Sequence, residues 1–311
     1  MNETDRIIAN LTKAVDKEVI RNYKIALKDI KARIALLHEK YAVDGVLTFA
    51  EMAKYNRYDE LINSINANLK DITGVNAKLT RGLAAEVYQE SYYRTAYFFE
   101  SGVQAKLGYG LINPEVIKAA VQNPISGLTL NQTLEKNRAN IILKARQEIT
   151  QGLIKGEPYS KMAKRFTDAL GGDAYKALVV ARTEAHRCQS EGTLESGYHA
   201  AERGVDMWKV WDATLDGKTR SSHQALDQQK VEVHEDFTSP VTGATGPGPG
   251  LMGDAADDCN CRCATRFEIK GYAPSKRYTR EEEGKRGKVI AYTNYEDWSK
   301  AKGIKIQKVY A

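Results

Sequence analysis

Apolar residues recur at helical spacing from early in the chain. Ile20, Tyr23, Leu27, Ile30, Ile34, Leu37 and Tyr41 follow one another at alternating intervals of three and four. A repeat of about 3.5 residues puts them on one seam and predicts a long helix in a coiled coil or helical hairpin. Asp44-Gly45 interrupts it. Thr48-Phe-Ala-Glu51 then has the residues of a capping box, starting a second helix with Phe49, Met52, Tyr55, Ile62, Ile65, Leu69 and Ile72 on its seam. A third helix, Leu83 to Ser101, carries Tyr88, Tyr92, Tyr93, Tyr97, Phe98 and Phe99 on several faces. Rings on all sides predict packing inside a helical front. A docking surface is the alternative, since tyrosine joins an apolar body to a polar tip.

Residues 108–128 read as a looser segment holding Pro114 and Pro124. Thr129-Leu-Asn-Gln132 offers a capping box for a helix reaching Ile154, and Gly156-Glu-Pro158 breaks it, with Pro158 placed for the first turn of the next helix. Gly171-Gly172 is expected to end that helix. Another should run from Asp173 to Arg203 and close at Gly204. The period then changes: Met207–Leu215 is strand-like and runs into the turn signal Asp216-Gly217. Ser221 or Ser222 could cap a short helix through Leu226. Val289–Tyr292 is a strand candidate, Thr293-Asn-Tyr-Glu296 a helix start stopped by Gly303, and Ile304–Val309 a last strand. The fold class is therefore α+β, a mainly helical arm or bundle followed by a small domain with a short sheet. The domains expected are 1–128, helical; 129–270, the α+β domain; and 271–311, a basic extension.

Composition narrows the class. With 42% hydrophobic and 28% charged residues, the chain has ordinary globular proportions. It shows no apolar run of membrane-spanning length, and no secretory signal is expected. Three of the four cysteines sit in Cys259-Asn-Cys-Arg-Cys263, too close together to cross-brace a fold, which points to a reducing cytoplasm rather than a disulfide framework. The net charge of +6 is unevenly placed. Residues 264–311 hold twelve Lys/Arg against six Asp/Glu, so the whole excess lies there. Lys276, Arg277, Arg280, Lys285, Arg286 and Lys288 are the candidate contacts for a polyanion.

Three polar clusters could carry chemistry. Arg182-Thr183-Glu184 lies within a helix, where residues two apart point in different directions, so Arg182 and Glu184 are not a pair. Each is either solvated or reaches across to Asp212, Asp216 or Arg220. In the second cluster, Trp211-Asp212 and Asp216-Gly217 lead to Arg220 and His223, which are three apart on a short helix. An acid–base reading makes His223 a proton shuttle oriented by Asp212 or Asp216. The preferred reading is a hydrogen-bonded network pinning a strand–turn–helix corner. In the third, Cys259, Cys261 and Cys263 share strand parity with Phe267 and Ile269, which favours buried cysteines on one strand face. The minority alternative is zinc held by Cys259 or Cys261 with His223 or His234, in a spacing unlike the usual C-x-x-C. No cofactor is otherwise expected.

In this order the pieces resemble the phage head morphogenesis family, the Mu F-like minor head proteins of tailed bacteriophages. The matching residues are Gly156-Glu-Pro-Tyr-Ser160, Ala181-Arg182-Thr183-Glu184, Trp211-Asp212-Ala-Thr-x-Asp216-Gly-x-Thr-Arg220-x-x-His223, and Asn260-Cys261-Arg262-Cys263 after the Gly/Pro loop 243–250. The resemblance covers about residues 129–270. The sequence departs from the family at Gln228, where a glycine commonly follows Leu-Asp. What the resemblance implies is a minor virion protein that joins the portal and other procapsid components and acts in head morphogenesis and in packaging or delivery of DNA. It would sit in the head interior or at the portal vertex after assembly in the host cytoplasm. The basic tail fits double-stranded DNA held through phosphates without base readout, and no membrane is involved. On this reading the chain is not an enzyme. The rival is a metal-dependent or acid/base hydrolase, nuclease-like, using Arg182, Glu184, Asp212, His223 and the cysteines. The sequence has neither an H-E-x-x-H zinc pair, nor a deaminase arrangement at His234-Glu235, nor a P-loop lysine after Gly250. A toxin-like module would need more chain than residues 271–311.

Overall fold

The computed structural model describes residues 3–125, 127–214, 216, 218–271 and 295–310, without the side chains of 169, 170, 173 and 295–297. The six candidate tail contacts from Lys276 to Lys288 and the strand candidate Val289–Tyr292 lie outside the described residues. Two compact units share the chain: residues 1–9, 82–126 and 183–311 form the first, and residues 10–81 and 127–182 the second. The units are discontinuous in sequence because α1 (Glu3–Tyr41), α3 (Arg57–Val103) and α6 (Tyr159–Glu202) each contribute to both.

In the second unit the predicted seam of α1 is realised. Tyr23, Ile30 and Ile34 are buried, and Ile20, Leu27, Leu37 and Tyr41 pack against the same core, which includes Ile62, Ile65 and Leu69 of α3. α2 is short, Phe49–Ala53, with Thr48 accepting a hydrogen bond from the Glu51 backbone N–H. It does not continue through the expected seam. Tyr55 takes a φ of +55° and is 83% exposed, so a single 3₁₀ turn separates α2 from α3. Beyond it the expected second and third helices are one continuous α3. The capping box at Thr129–Gln132 starts α5 (Leu130–Ile154), with both reciprocal hydrogen bonds present. α6 corrects another expectation, because it runs through Gly171-Gly172 without a break. Each glycine weakens a helix by about 1 kcal/mol but does not terminate it. Phe166 on one side, and Ala177 and Leu178 on the other, are held in the core and keep the helix in register.

The first unit contains the sheet. β1 (Met207–Asp212) is central and antiparallel to both β2 (Lys230–Glu232) and β5 (Ala264–Ile269). β3 (Phe237–Thr238) and β4 (Thr245–Gly246) make a separate two-stranded ladder. The aromatic stretch of α3 packs here: Tyr88, Tyr92, Tyr93 and Phe99 are buried, and the Phe99 ring lies 5.2 Å from Phe267 of β5. The approach is close at Gly192 of α6, where a Cβ would come within 2.3 Å of the Tyr88 carbonyl oxygen. The segment expected to be loose contains α4 (Pro114–Gln122), capped by Asn113 and opened by Pro114 in its first turn.

Three expectations near the sheet are also corrected. The strand stops at Asp212 rather than Leu215. Neither Ser221 nor Ser222 caps α7 (Ser221–Leu226); Arg220 occupies the cap position, and its side chain makes no bond to the helix start. Residues 304–309 form no strand, and Gln89 of α3 holds them instead, exchanging hydrogen bonds with the backbone of Gln307 at 2.7 and 3.0 Å. Just before them α9 (Tyr295–Ala301) places Trp298, whose indole N–H donates to Glu100 at 2.7 Å.

Candidate functional site

Thr183, Trp211, Asp216, Arg220, His223 and the Asn260–Cys263 turn meet in the first unit, where α7, α8 (Ala255–Asp258) and the turn before β5 close over the end of β1. Trp211, the last buried residue of β1, is fully enclosed, and its ring meets His223 and Phe237 edge-on at centroid distances of 5.5 and 5.4 Å. Leu226, Met252, Cys261 and Cys263 complete this small core. The cysteines are not strand residues as expected. β5 begins at Ala264, and the chain before it turns at Asn260 with φ +55°. Asparagine is among the few residues that tolerate that conformation. The burial expected for Cys261 and Cys263 holds, while Cys259 is only half-buried.

Most of the polar motif residues have identifiable partners. The Thr183 hydroxyl accepts from the Asn260 backbone N–H at 2.9 Å. Arg262 pairs through both terminal nitrogens with Asp216, at 2.7 Å for the Nη2 contact. Arg262 and the Lys218 N–H hold the Asp216 carboxyl well below the usual carboxylate range. Arg220 donates to the carbonyls of Asp257 and Cys259, and Thr214 to that of Arg262 at 2.6 Å. Arg182 belongs to the second unit and pairs there with Asp16 of α1 at 2.6 Å, so it does not reach toward the sheet. Glu184 does not reach it either. It sits against Arg187 at 2.9 Å, and burial pushes its carboxyl up in spite of that cation. Asp212 is exposed at the strand end, away from the role of orienting His223.

The residue facing His223 is Asp257. Its Oδ1 lies 3.3 Å from Nε2, near enough for an ion pair but not aligned as a hydrogen bond. Asp257 is itself fixed by the hydroxyls of Ser222 at 2.9 Å and Thr242 at 2.8 Å. The other ring nitrogen, Nδ1, is 3.6 Å from the Cys261 sulfur and 3.3 Å from that of Cys263. Cys263 is drawn down by its hydrogen bond with Cys261 and by the imidazole. Cys261 is pushed up by the same bond and by burial. His223, Cys261 and Cys263 border a cavity of about 100 Å³, which Arg220, Asn260 and Thr214 also line. Cys259 and His234, the other sequence candidates for a metal, are not in this group. The Cys259 carbonyl serves Arg220, and the His234 ring stacks on Tyr198 at 5.2 Å.

Sequence reasoning missed Asp257, Arg187 and His186. Arg187 is 2% exposed and donates to Glu184, Glu191 and the carbonyls of Ala120 and Val121. Its signal was present as acids three residues before and four after it on one helix face. The His186 Nε2–H donates to the Cys263 carbonyl oxygen at 2.7 Å. The Gly/Pro loop is pinned through proline carbonyls, Pro249 by Ser190 at 2.6 Å and Pro247 by the buried Lys209 at 2.8 Å. Asp257 gave no local signal, since its meaning depends on what α8 is folded against.

Residues 143–266 match the family described as "Phage Mu protein F like protein". Over 300 residues the chain is 38% identical to "Minor head protein GP7" of Bacillus phage SPP1, covering 96% of each chain. It is 30% identical over 302 residues to "NAD(+)--arginine ADP-ribosyltransferase EFV" of Enterococcus faecalis, covering 96% of this chain and 60% of that protein. No solved structure matches. With the Mu F-like region and near full-length similarity to a phage minor head protein both present, the chain belongs to the Mu F-like family of phage minor head proteins.

Proposed function

We propose that this minor head protein docks at the portal of the procapsid through its helical front, meets packaged double-stranded DNA through its basic tail, and turns over no substrate. The observation that supports a scaffolding role is the internal use of the motif. Thr183 with Asn260, Asp216 with Arg262, and Arg220 with two carbonyls spend their polar atoms on tying distant segments together. Helices of 39, 47 and 44 residues suit docking along a larger assembly. The charge excess of residues 264–311 suits phosphate contacts whose strength falls with salt. The protein would reside in the head interior or at the portal vertex, after assembly beside other head components in the host cytoplasm.

Co-purification with the portal oligomer from the same source tests the docking. A stable complex is expected, and failure to bind, with the chain absent from particles, removes the portal role. The tail is tested separately by DNA binding of the full chain and of one ending at residue 270. Equal affinity and equal salt dependence would remove it.

A second reading, an enzyme, is favoured by the name of the Enterococcus relative, of which this chain spans 60%. It predicts that the chain consumes NAD(+) in the presence of an arginine acceptor, or hydrolyses nucleic acid through the His223 region. Under the structural reading both assays stay at background, and His223→Ala lowers stability rather than a rate.

A further inference from the structure

We infer that Cys261, Cys263 and His223 form a binding site for one zinc ion, which ties the turn before β5 to α7. The donor atoms carry the inference. The two sulfurs and a ring nitrogen all lie within 4.8 Å of one another, and all three residues are buried. Zinc–sulfur bonds of about 2.3 Å and zinc–nitrogen bonds of about 2.0–2.1 Å, at tetrahedral angles, separate a sulfur from a nitrogen by about 3.6 Å. The observed separations from His223 Nδ1 are 3.6 Å to Cys261 and 3.3 Å to Cys263. The two sulfur–nitrogen edges of a tetrahedral site are thus nearly in place, and the sulfur–sulfur edge lies within 4.8 Å.

The far side of the imidazole is built in the same sense. A ligating histidine usually turns its other nitrogen to a carboxylate, which fixes the ring and strengthens the ligand. Here Nε2 is a buried polar atom without a hydrogen bond, and Asp257 waits 3.3 Å away with both its oxygens already anchored by Ser222 and Thr242. Donation from Nε2–H to Asp257 leaves Nδ1 as the lone-pair nitrogen, the one that faces the sulfurs. The Trp211 edge closes another side of the ring.

The short spacing of the cysteines is compatible with this. Residues two apart in extended chain project to the same side. Cys261 and Cys263 follow the left-handed Asn260 and do so, whereas Cys259 lies before that turn and is carried away. Three protein ligands leave a fourth position, which opens on the cavity of about 100 Å³ and has room for a water ligand. Such a site would stabilise the corner whether or not the protein docks on a portal.

The experiment is metal analysis of the full-length chain purified under reducing, chelator-free conditions, with cobalt(II) titration of the metal-stripped protein. About one equivalent of zinc is expected, with cobalt giving the visible bands of a tetrahedral thiolate site and thiolate charge-transfer absorption in the near ultraviolet. Cys263→Ser and His223→Ala should lose most of both, while Cys259→Ser and Cys188→Ser keep them. Asp257→Asn should retain the cobalt spectrum and weaken zinc at least about tenfold in competition with a chromogenic chelator. Less than a tenth of an equivalent of zinc, together with no cobalt spectrum from the unsubstituted chain, would overturn the site irrespective of how the variants fold. Equal loss in Cys259→Ser and Cys263→Ser, with circular dichroism unchanged, would overturn the ligand assignment.

Discussion

Thr183 and Asn260 are 77 residues apart in sequence and joined by one hydrogen bond, from the Asn260 backbone N–H to the Thr183 hydroxyl at 2.9 Å. The bond links the helical motif of α6 to the cysteine turn at the point where the backbone enters its left-handed conformation. It explains why a hydroxyl residue lies between Arg182 and Glu184, whose own side chains point to different partners.

Thr183→Val keeps the shape and removes the acceptor, leaving the Asn260 N–H without that partner. A loss of about 1–2 kcal/mol is expected in urea unfolding, with Thr183→Ser close to the native value. No change in Thr183→Val would mean that the bond does not hold the turn.

Gln228 has φ +61° just after α7, a conformation that glycine adopts without strain. A side chain there is strained by about 1 kcal/mol relative to glycine. Its bonds to Asp227 and Arg266 are exposed and offset little of this. Gln228→Gly should therefore raise the denaturant midpoint, by about 0.5–1 kcal/mol in stability. A lower midpoint would show that the side-chain contacts outweigh the backbone strain.

Arg187 neutralises Glu184 and Glu191 from within the core of the first unit. Arg187→Leu leaves those acids facing each other without a cation and should cost about 3–5 kcal/mol. Arg187→Lys should recover part of this, because a point charge remains but the fork that also reaches the Ala120 and Val121 carbonyls is lost. Thermal melts of the three proteins decide it. Near-native melting of Arg187→Leu would contradict the assignment.

Lys209 is fully enclosed, donates to the Pro247 carbonyl, and is pushed by burial down to about 8. In the unfolded chain a lysine keeps its proton to about pH 10.4. Between those values the unfolded state binds more protons, so this residue makes the protein more stable as pH rises. Lys209→Met lacks the effect. The stability of the native chain relative to Lys209→Met should rise by about 1–2 kcal/mol between about pH 7 and pH 9.5. A difference independent of pH would place the titration outside that window.

Much of the helical architecture was legible because a helix writes its buried face into the sequence at intervals of three and four. The seam Ile20–Tyr41 and the capping box Thr129–Gln132 needed no knowledge of their neighbours. Where two local signals competed, tertiary packing decided. Gly171-Gly172 looks like a stop but lies within a helix clamped on both sides, while Tyr55 looks like a seam residue but is the turn itself. Residues 304–309 have the pattern of a strand, yet Gln89 supplies hydrogen bonds that a sheet would otherwise provide.

The site divides in the same way. Residue type and order alone were enough for the resemblance, the α+β class and the expectation of buried cysteines, but not for Asp257 or for the exclusion of Cys259 from the buried cysteines. The partnerships came from the folded chain: Arg182 with Asp16, Glu184 with Arg187, Asp216 with Arg262, and His223 between Asp257 and two sulfurs. The physical reason is range. Periodicity and capping act across one helical turn, whereas an ion pair or a ligand set depends on where a chain tens of residues away returns, and that path is set by the packing of the whole core.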